Sequence, residues 1–527
     1  MAEHNSFASP LRKLVSFFKK SRDRWKEKYL AAKKENKKLI NKVCFLESSR
    51  QKWKKEALLL RKQLGHAAVG SRSLPATRTG KKKDLTAPAP PPSSATKIPH
   101  HSYSATTVLL MLQLVLNAAV SLRGSQRVWD TFNDALAHPL DYAPSWFSVR
   151  LWLLRVGHHK LMRAKAIADD WCWIIDHTIQ LGKTKCLLVL GIRLSEMPKG
   201  RCLKYQDLEP IDLIPVETST GATVWQQLEK TSSKTGVPRA IVSDCGSDLK
   251  SGIAMFCARH DGCVSLYDIK HKTACLLKAE LTKDEDWLAF TRQAALAKNQ
   301  LKQTALSHLD PPNQRSKSRY MNIEILLKWG TETLQILDTG GPIDEAEKQQ
   351  MPKLEWLKAY RDKLRGWDEL LQVATLAEQC VRQEGITREG YQALEGRFHE
   401  KLPGIYAPAI KLKTDLIDFV KAQGQACKEN ERLLGSSEVI ESVFGKQKYL
   451  ERDYAKEGFT SLILGIGAFV GTLTVDSVKE ALVATPVKMV VDWCKDVLGE
   501  TLQSKKNIAY SDVRKGTKTT LTFVCEN

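Results

Sequence analysis

The spacing of apolar positions divides the chain into stretches of different period. Between residues 25 and 64, Trp25, Tyr29, Ala32, Asn36, Leu39, Val43, Leu46, Arg50, Trp53, Ala57, Leu60 and Leu64 follow one another in steps of four and three. That spacing predicts a coiled coil over residues 1–65, with one stripe facing a partner helix. Placing Leu39, Leu46 and Leu60 at d puts Asn36 at a, where a single polar residue selects a parallel dimer. Residues 66–103 lose the period altogether. Gly70, Pro75, Gly80, three lysines at 81–83 and the proline-rich run from Ala87 to Ser94 predict a disordered basic linker.

From residue 104 to 168 the pattern is helical, with helices expected at Val108–Ser121, Ser125–Leu136 and from Pro144-Ser145 through Val156. The third carries Trp146, Arg150, Trp152 and Arg155, which suits a helix-turn-helix module, although Trp152 also reads as core. The period then shortens. Trp171–Ile175, Lys185–Arg193 and Ile211–Val216 read as successive strands. A helix at Val224–Thr235, a strand at Ala240–Ser243, a helix from Leu249 to Arg259 and a strand at Cys263–Tyr267 follow. Strand, strand, strand, helix, strand, helix, strand is the order of an α/β, ribonuclease H-like mixed sheet. Residues 169–280 are therefore expected to form the first part of such a core. A large all-α insertion is expected over 281–430, broken at Pro311-Pro312 and Gly340-Gly341-Pro342, with a second core part at 431–475 and a C-terminal helical region at 476–527.

Charge changes the picture more than composition does. The chain has 527 residues, 43% hydrophobic and 27% charged, which excludes a disordered or collagen-like polymer. Its net charge of +22 is concentrated at one end: 25 basic and 7 acidic residues lie in the first hundred positions. A basic arm on a near-neutral body points to a polyanionic partner. The 12 cysteines, from Cys44 to Cys525, form no CxxC pair and read as free thiols in a reducing compartment. The uncharged stretches His100–Leu122 and Gly458–Val475 fit buried helices better than membrane spans, so a soluble intracellular protein is expected.

Three acidic residues occupy positions where chemistry is plausible. Asp176 ends the first strand, Asp244 follows the fourth, and Glu441 lies early in a late helix. In the expected sheet the first and fourth strands are neighbours, which sets the two aspartates side by side. Paired carboxylates repel unless a cation intervenes, and a third carboxylate suits hard ions such as Mg²⁺ or Mn²⁺. Two such ions could serve a phosphoryl displacement. Each residue also has a plainer reading, since an aspartate at a strand end is commonly a turn residue. Glu438 competes with Glu441, and Asp248 with Asp244; His177 reads as a surface histidine or a supporting neighbour of Asp176.

Several motifs make the chain resemble DDE-type DNA transposases of the ribonuclease H-like superfamily, chiefly bacterial insertion-sequence enzymes with Mutator-like and hAT-like features. Ile-Val-Ser-Asp244-Cys-Gly matches the segment around the second aspartate, and Asp268-Ile-Lys-His271 matches a C/D-two-residues-His signature. Ser436-Ser-Glu-Val-Ile-Glu441 resembles the segment around the family's glutamate, and Lys448 stands at the family's E-six-K spacing. The matching arginine position is Ser437, a departure from that signature. The resemblance spans roughly residues 104–475. It implies Asp176, Asp244 and Glu441 as catalytic metal ligands for Mg²⁺ or Mn²⁺, Asp268 and His271 as their supports, and Lys448 as a DNA contact.

The same resemblance implies water attack at the end of a mobile element, followed by attack of the freed 3′ hydroxyl on target DNA. Arg123, Arg127, Ser145, Trp146 and Arg150 are the candidate contacts to terminal inverted repeats. The expected partners are double-stranded DNA and a second copy of the chain through the coiled coil, with no membrane. A bacterial cytoplasm, close to the nucleoid, is the implied location. Two alternatives stand beside this: an inactive or repurposed transposase acting as a dimeric DNA-binding protein, and another ribonuclease H-like nuclease. Tryptophans 287, 329, 356 and 367 of the insertion read as core or as a stacking surface for an extruded base. Arg315, Lys317 and Arg319 read as a phosphate-contacting or solvated loop.

Overall fold

Serine starts two of the first three helices by the same device. The Ser104 hydroxyl accepts from the Thr107 N–H at 3.1 Å and opens α1 (Ala105–Leu116). After α2 (Leu122–Ala135), the Ser145 hydroxyl accepts from the Ser148 N–H at 3.2 Å and opens α3 (Trp146–Met162). Each bond satisfies a donor that the first turn leaves without an intrahelical partner. The first helix is shorter than the apolar pattern suggests. It stops at Asn117, and Ala119 takes a left-handed φ of 54° that breaks the run before Ser121.

The third helix is largely a core helix, in line with the reading of Trp152 as core. Val149, Trp152, Leu153, Leu154 and Val156 are buried, and two of its cations are spent on backbone oxygens. Arg155 donates to the carbonyls of Leu482 and Thr485, and Lys160 donates to that of Val470. A Cβ on Gly157 would stand 1.9 Å from the Leu464 carbonyl oxygen, so only glycine permits this approach. The first turn and the C-terminal end of α3 and parts of α2 remain near the surface, with Met162, Arg123 and Arg127 exposed.

This computed structural model describes residues 98–135, 142–177, 185–314, 320, 323–340, 345–404, 406–451, 460–499, 507, 508, 510 and 511. All lie in one of the chain's two units, Pro91–Asn527. The expected coiled coil, almost all of the linker, and Arg315, Lys317 and Arg319 fall outside the described residues.

The architecture is mixed α/β. Strands β1 (Trp171–His177), β2 (Lys185–Arg193), β3 (Glu209–Val216), β4 (Ala240–Ser243) and β5 (Val264–Tyr267) form one sheet in the order β3-β2-β1-β4-β5. The first three are antiparallel neighbours, whereas β4 runs parallel to both β1 and β5. Alternating side chains feed separate cores. Trp173, Ile175, Leu187, Val189 and Ile241 pack beneath α4 (Gly221–Thr235) and α5 (Ser247–Cys257). Cys172, Ile174, Leu188, Leu190 and Val242 face the larger helical core on the other side.

After β5 the chain is helical: α6 (Ile269–Leu281), α7 (Glu285–Leu301), α8 (Glu324–Thr339), α9 (Arg361–Glu384), α10 (Gly390–Lys401) and α11 (Ala407–Gly424). The tryptophans there serve packing. Trp287 and Trp367 are fully buried with ring centroids 5.0 Å apart, and Trp329 donates to the Leu309 carbonyl. Trp356 lies 5.8 Å from Phe290 in the same aromatic cluster. The chain then returns to the sheet through α12 (Glu438–Glu451), and α13 (Gly465–Phe469), α14 (Val475–Ala484) and α15 (Val487–Trp493) close over α3. Among the described residues, no helix is long and apolar enough to cross a membrane.

Candidate active site

The register of the parallel pair decides where the two aspartates fall. Cys172 lies opposite Ala240, Trp173 opposite Ile241 and Ile174 opposite Val242. Continued two residues further, the same offset sets Asp176 level with Asp244. Neighbouring strands are about 4.8 Å apart, so the two carboxyl groups leave the sheet at one end and within reach of each other's charge. Burial pushes the Asp176 carboxyl up to about 7, with the Asp244 charge and the more distant Glu441 adding to the shift. The His177 N–H, 2.6 Å from one of its oxygens, and the His271 ring oppose the shift without cancelling it.

Asp244 sits in a tight turn. Its Oδ1 accepts from the Gly246 N–H at 2.9 Å, while Cys245 adopts a left-handed φ of 56°. That turn delivers the chain into α5 and leaves Asp248 in the helix's first turn. There Asp248 faces His177, with Oδ2 3.7 Å from Nδ1, and His177 Nε2 lies 3.2 Å from the Ser219 hydroxyl. The rival aspartate and His177 thus engage each other, and Asp244 is the one that continues the β1–β4 register.

Glu441 reaches the site from α12. One carboxylate oxygen lies 3.6 Å from His271 Nε2 and the other 3.5 Å from Lys270 Nζ. The contact with His271, helped by the Lys270 charge, outweighs partial burial and holds the Glu441 carboxyl below the usual glutamate range. Burial works against a charge on His271, but Glu441, Asp268 and Asp244 together raise its affinity for a proton. Glu438 shares Lys270 with Glu441 but has a second partner. Its oxygens pair with Arg382 of α9 at 2.8 Å and with Lys270 at 3.2 Å.

Asp268 joins the elements that carry these groups. It is buried at the end of β5 and caps α6, accepting from the His271 N–H at 2.8 Å through Oδ1. Its Oδ2 accepts from both the N–H and the hydroxyl of Ser437, the residue just before α12. The Ile269 N–H bonds the Gly435 carbonyl at 3.0 Å beside it. One carboxylate therefore fixes the starts of the His271 helix and the Glu441 helix together.

The remaining candidates are spread more widely. Lys448 is exposed on α12, two turns beyond Glu441 and so about 10 Å along the helix. Arg123 and Arg127 project from α2, and the Arg123 guanidinium stacks 5.2 Å from the half-buried Trp146 ring. Ser145 is occupied as the cap of α3, and Arg150 donates to the Ser461 hydroxyl at 2.6 Å. Sequence reasoning missed Lys270, Glu378 and Arg382. Lys270 lies inside the Asp268–His271 motif, which marked its neighbourhood, whereas Glu378 and Arg382 carry no local signal. Burial pushes the Glu378 carboxyl up to about 7, despite a hydrogen bond from Thr273 and the nearby Lys270 charge.

As the side chains stand, no three carboxylate, imidazole or thiol groups among the described residues gather closely enough to hold a metal ion. The donors nevertheless suit a hard divalent cation. Asp176 and Asp244 offer oxygens at the same level, and burial with the Asp244 charge raises the Asp176 carboxyl despite the opposing His271 ring.

No family model matches the chain, and no curated protein matches it. Among solved structures it is similar to a Drosophila P element transposase strand transfer complex, at 14% identity and a TM-score of 0.32. The match covers 74% of this chain and 94% of that one. A likeness so low carries no weight beside the side-chain geometry.

Proposed function

We propose that the chain is a divalent-metal-dependent enzyme that cuts DNA strands and joins them to new sites, a transposase of the DDE kind on a ribonuclease H-like sheet. The observation that supports this most is the parallel β1–β4 register, which sets Asp176 level with Asp244 while α12 brings Glu441 to the same end of the sheet. The sheet order agrees with the reading, since the second and fourth strands flank the first.

Asp176, Asp244 and Glu441 would hold Mg²⁺ or Mn²⁺, which supplies Lewis-acid stabilisation of charge on phosphodiester oxygens. His271 and Asp268 orient Glu441. Lys448, Arg123 and Arg127, all exposed, meet DNA phosphates. The basic first hundred residues add attraction that does not depend on sequence, and their heptads pair two copies of the chain.

The test is cleavage and strand transfer on duplexes carrying the inverted repeats that flank the coding sequence, with Mg²⁺ or Mn²⁺. Asp176→Ala, Asp244→Ala and Glu441→Ala are expected to lower the rate at least about a thousandfold. Glu438→Ala is expected to keep substantial activity. Equal loss for Glu438→Ala and Glu441→Ala would sink the glutamate assignment. Specific DNA binding without cleavage under any metal would favour the repurposed DNA-binding protein.

A further inference from the structure

We propose that Lys270 is a positioning residue for Glu441, anchored from the helical body through Arg382 and Glu438; this rests on reading Glu441 as a metal-holding carboxylate. Four charges of alternating sign run in a line across three helices. Arg382 of α9 pairs with Glu438 at 2.8 Å, Glu438 with Lys270 at 3.2 Å, and Lys270 with Glu441 at 3.5 Å.

Geometry makes the middle member necessary. Glu438 and Glu441 stand three residues apart at the start of α12 and so share a helix face, where like charges repel. Lys270 lies between them and takes one oxygen from each. Removing it frees Glu441 on that side and leaves Glu438 to push against it, with only His271 retaining the other oxygen.

The line is not a loose surface pair. The Lys270 side chain is 20% exposed and that of Glu438 27%, so solvent screens them less than it would an exposed ion pair. Within reach of their charges is the half-buried carboxyl of Glu378, on the same helix as Arg382 and tied to α6 by the Thr273 hydroxyl. The helical body thereby does more than fill space between Asp244 and Glu441: its helix α9 sets the direction in which Glu441 points. Lys270 is also a cation near the site, and its charge alone would weaken metal binding. The proposal is that alignment of Glu441 outweighs that opposition.

Mn²⁺ binding to the full-length protein, followed by electron paramagnetic resonance without DNA, tests this independently of turnover. Lys270→Met is expected to weaken Mn²⁺ binding on the order of tenfold, as loss of an orienting partner does. Lys270→Arg is expected to stay near the wild-type affinity, and thermal unfolding of both to stay near that of wild type. Should Lys270→Met fail to fold, Arg382→Met breaks the line one link further out and is expected to weaken binding about threefold. Unchanged or tighter binding in the folded Lys270→Met protein, or unchanged binding in Arg382→Met when that variant carries the test, would overturn the proposal. The metal reading would survive that result if Asp244→Asn abolishes Mn²⁺ binding. Absence of Mn²⁺ binding by the wild type would overturn both.

Discussion

Asp176 shows how a single side chain can oppose folding and still be kept. In the folded chain its proton is held until about pH 7, because burial and the Asp244 charge disfavour the anion. An unfolded aspartate loses its proton near pH 4. Between those values the folded state binds more protons than the unfolded one, so Asp176 makes stability fall as pH rises through this window. The effect is complete above about pH 7 and absent below about pH 4. Asp176→Asn, which keeps an oxygen for the His177 N–H, is therefore expected to stabilise the metal-free protein at pH 8 by on the order of 1–3 kcal/mol. At pH 4 the gain should vanish. Urea unfolding with a chelator present, at both pH values, checks this; equal stability of the two proteins at pH 8 would mean that the Asp176 anion is not disfavoured.

At the scale of elements, the decisive junction is where β5 ends and two helices begin. Asp268 serves as N-cap for α6 and as acceptor for Ser437 before α12, so one buried side chain satisfies three donors. Replacing it with alanine loses a cap and strands the buried donors of Ser437, a combined effect of roughly 3 kcal/mol. Asp268→Asn should lose less, because one oxygen remains. The expected signature is local as well as global: faster amide exchange at His271 and Ser437 in Asp268→Ala, with a lower urea midpoint. If both amides exchange as slowly as in wild type, the junction is held by packing and the Ile269–Gly435 bond instead.

This level was partly legible beforehand. Continuous apolar runs such as Cys-Leu-Leu-Val-Leu mark buried strands, and β2 and β4 fall where those runs do. Ser145 announced α3 for the same local reason. The Lys270–Glu438–Arg382 line was not legible, because it joins residues more than fifty positions apart that share no local period. The burial of most of α3 was hidden too: nothing in the local pattern tells that the carbonyls of Leu482, Thr485 and Val470 receive Arg155 and Lys160.

On the scale of the whole molecule, charge is distributed by region more sharply than by surface. Nearly all of the net +22 belongs to the first hundred positions, while the body that carries the carboxylates is close to neutral. If the body supplies the site and the arm supplies general affinity, the two contributions separate by their response to salt. Each phosphate contact contributes about 0.9 to the slope of log K against log salt. A chain lacking residues 1–97 is expected to bind a 30-base-pair duplex of arbitrary sequence more weakly, with a slope shallower by roughly 4 to 6. The same deletion removes the heptads and should convert a dimer to a monomer in sedimentation. Fluorescence anisotropy between about 50 and 200 mM KCl measures the first effect over a range where it is large. An unchanged slope would place the phosphate contacts on the body, and the exposed Arg123, Arg127 and Lys448 would then have to supply them.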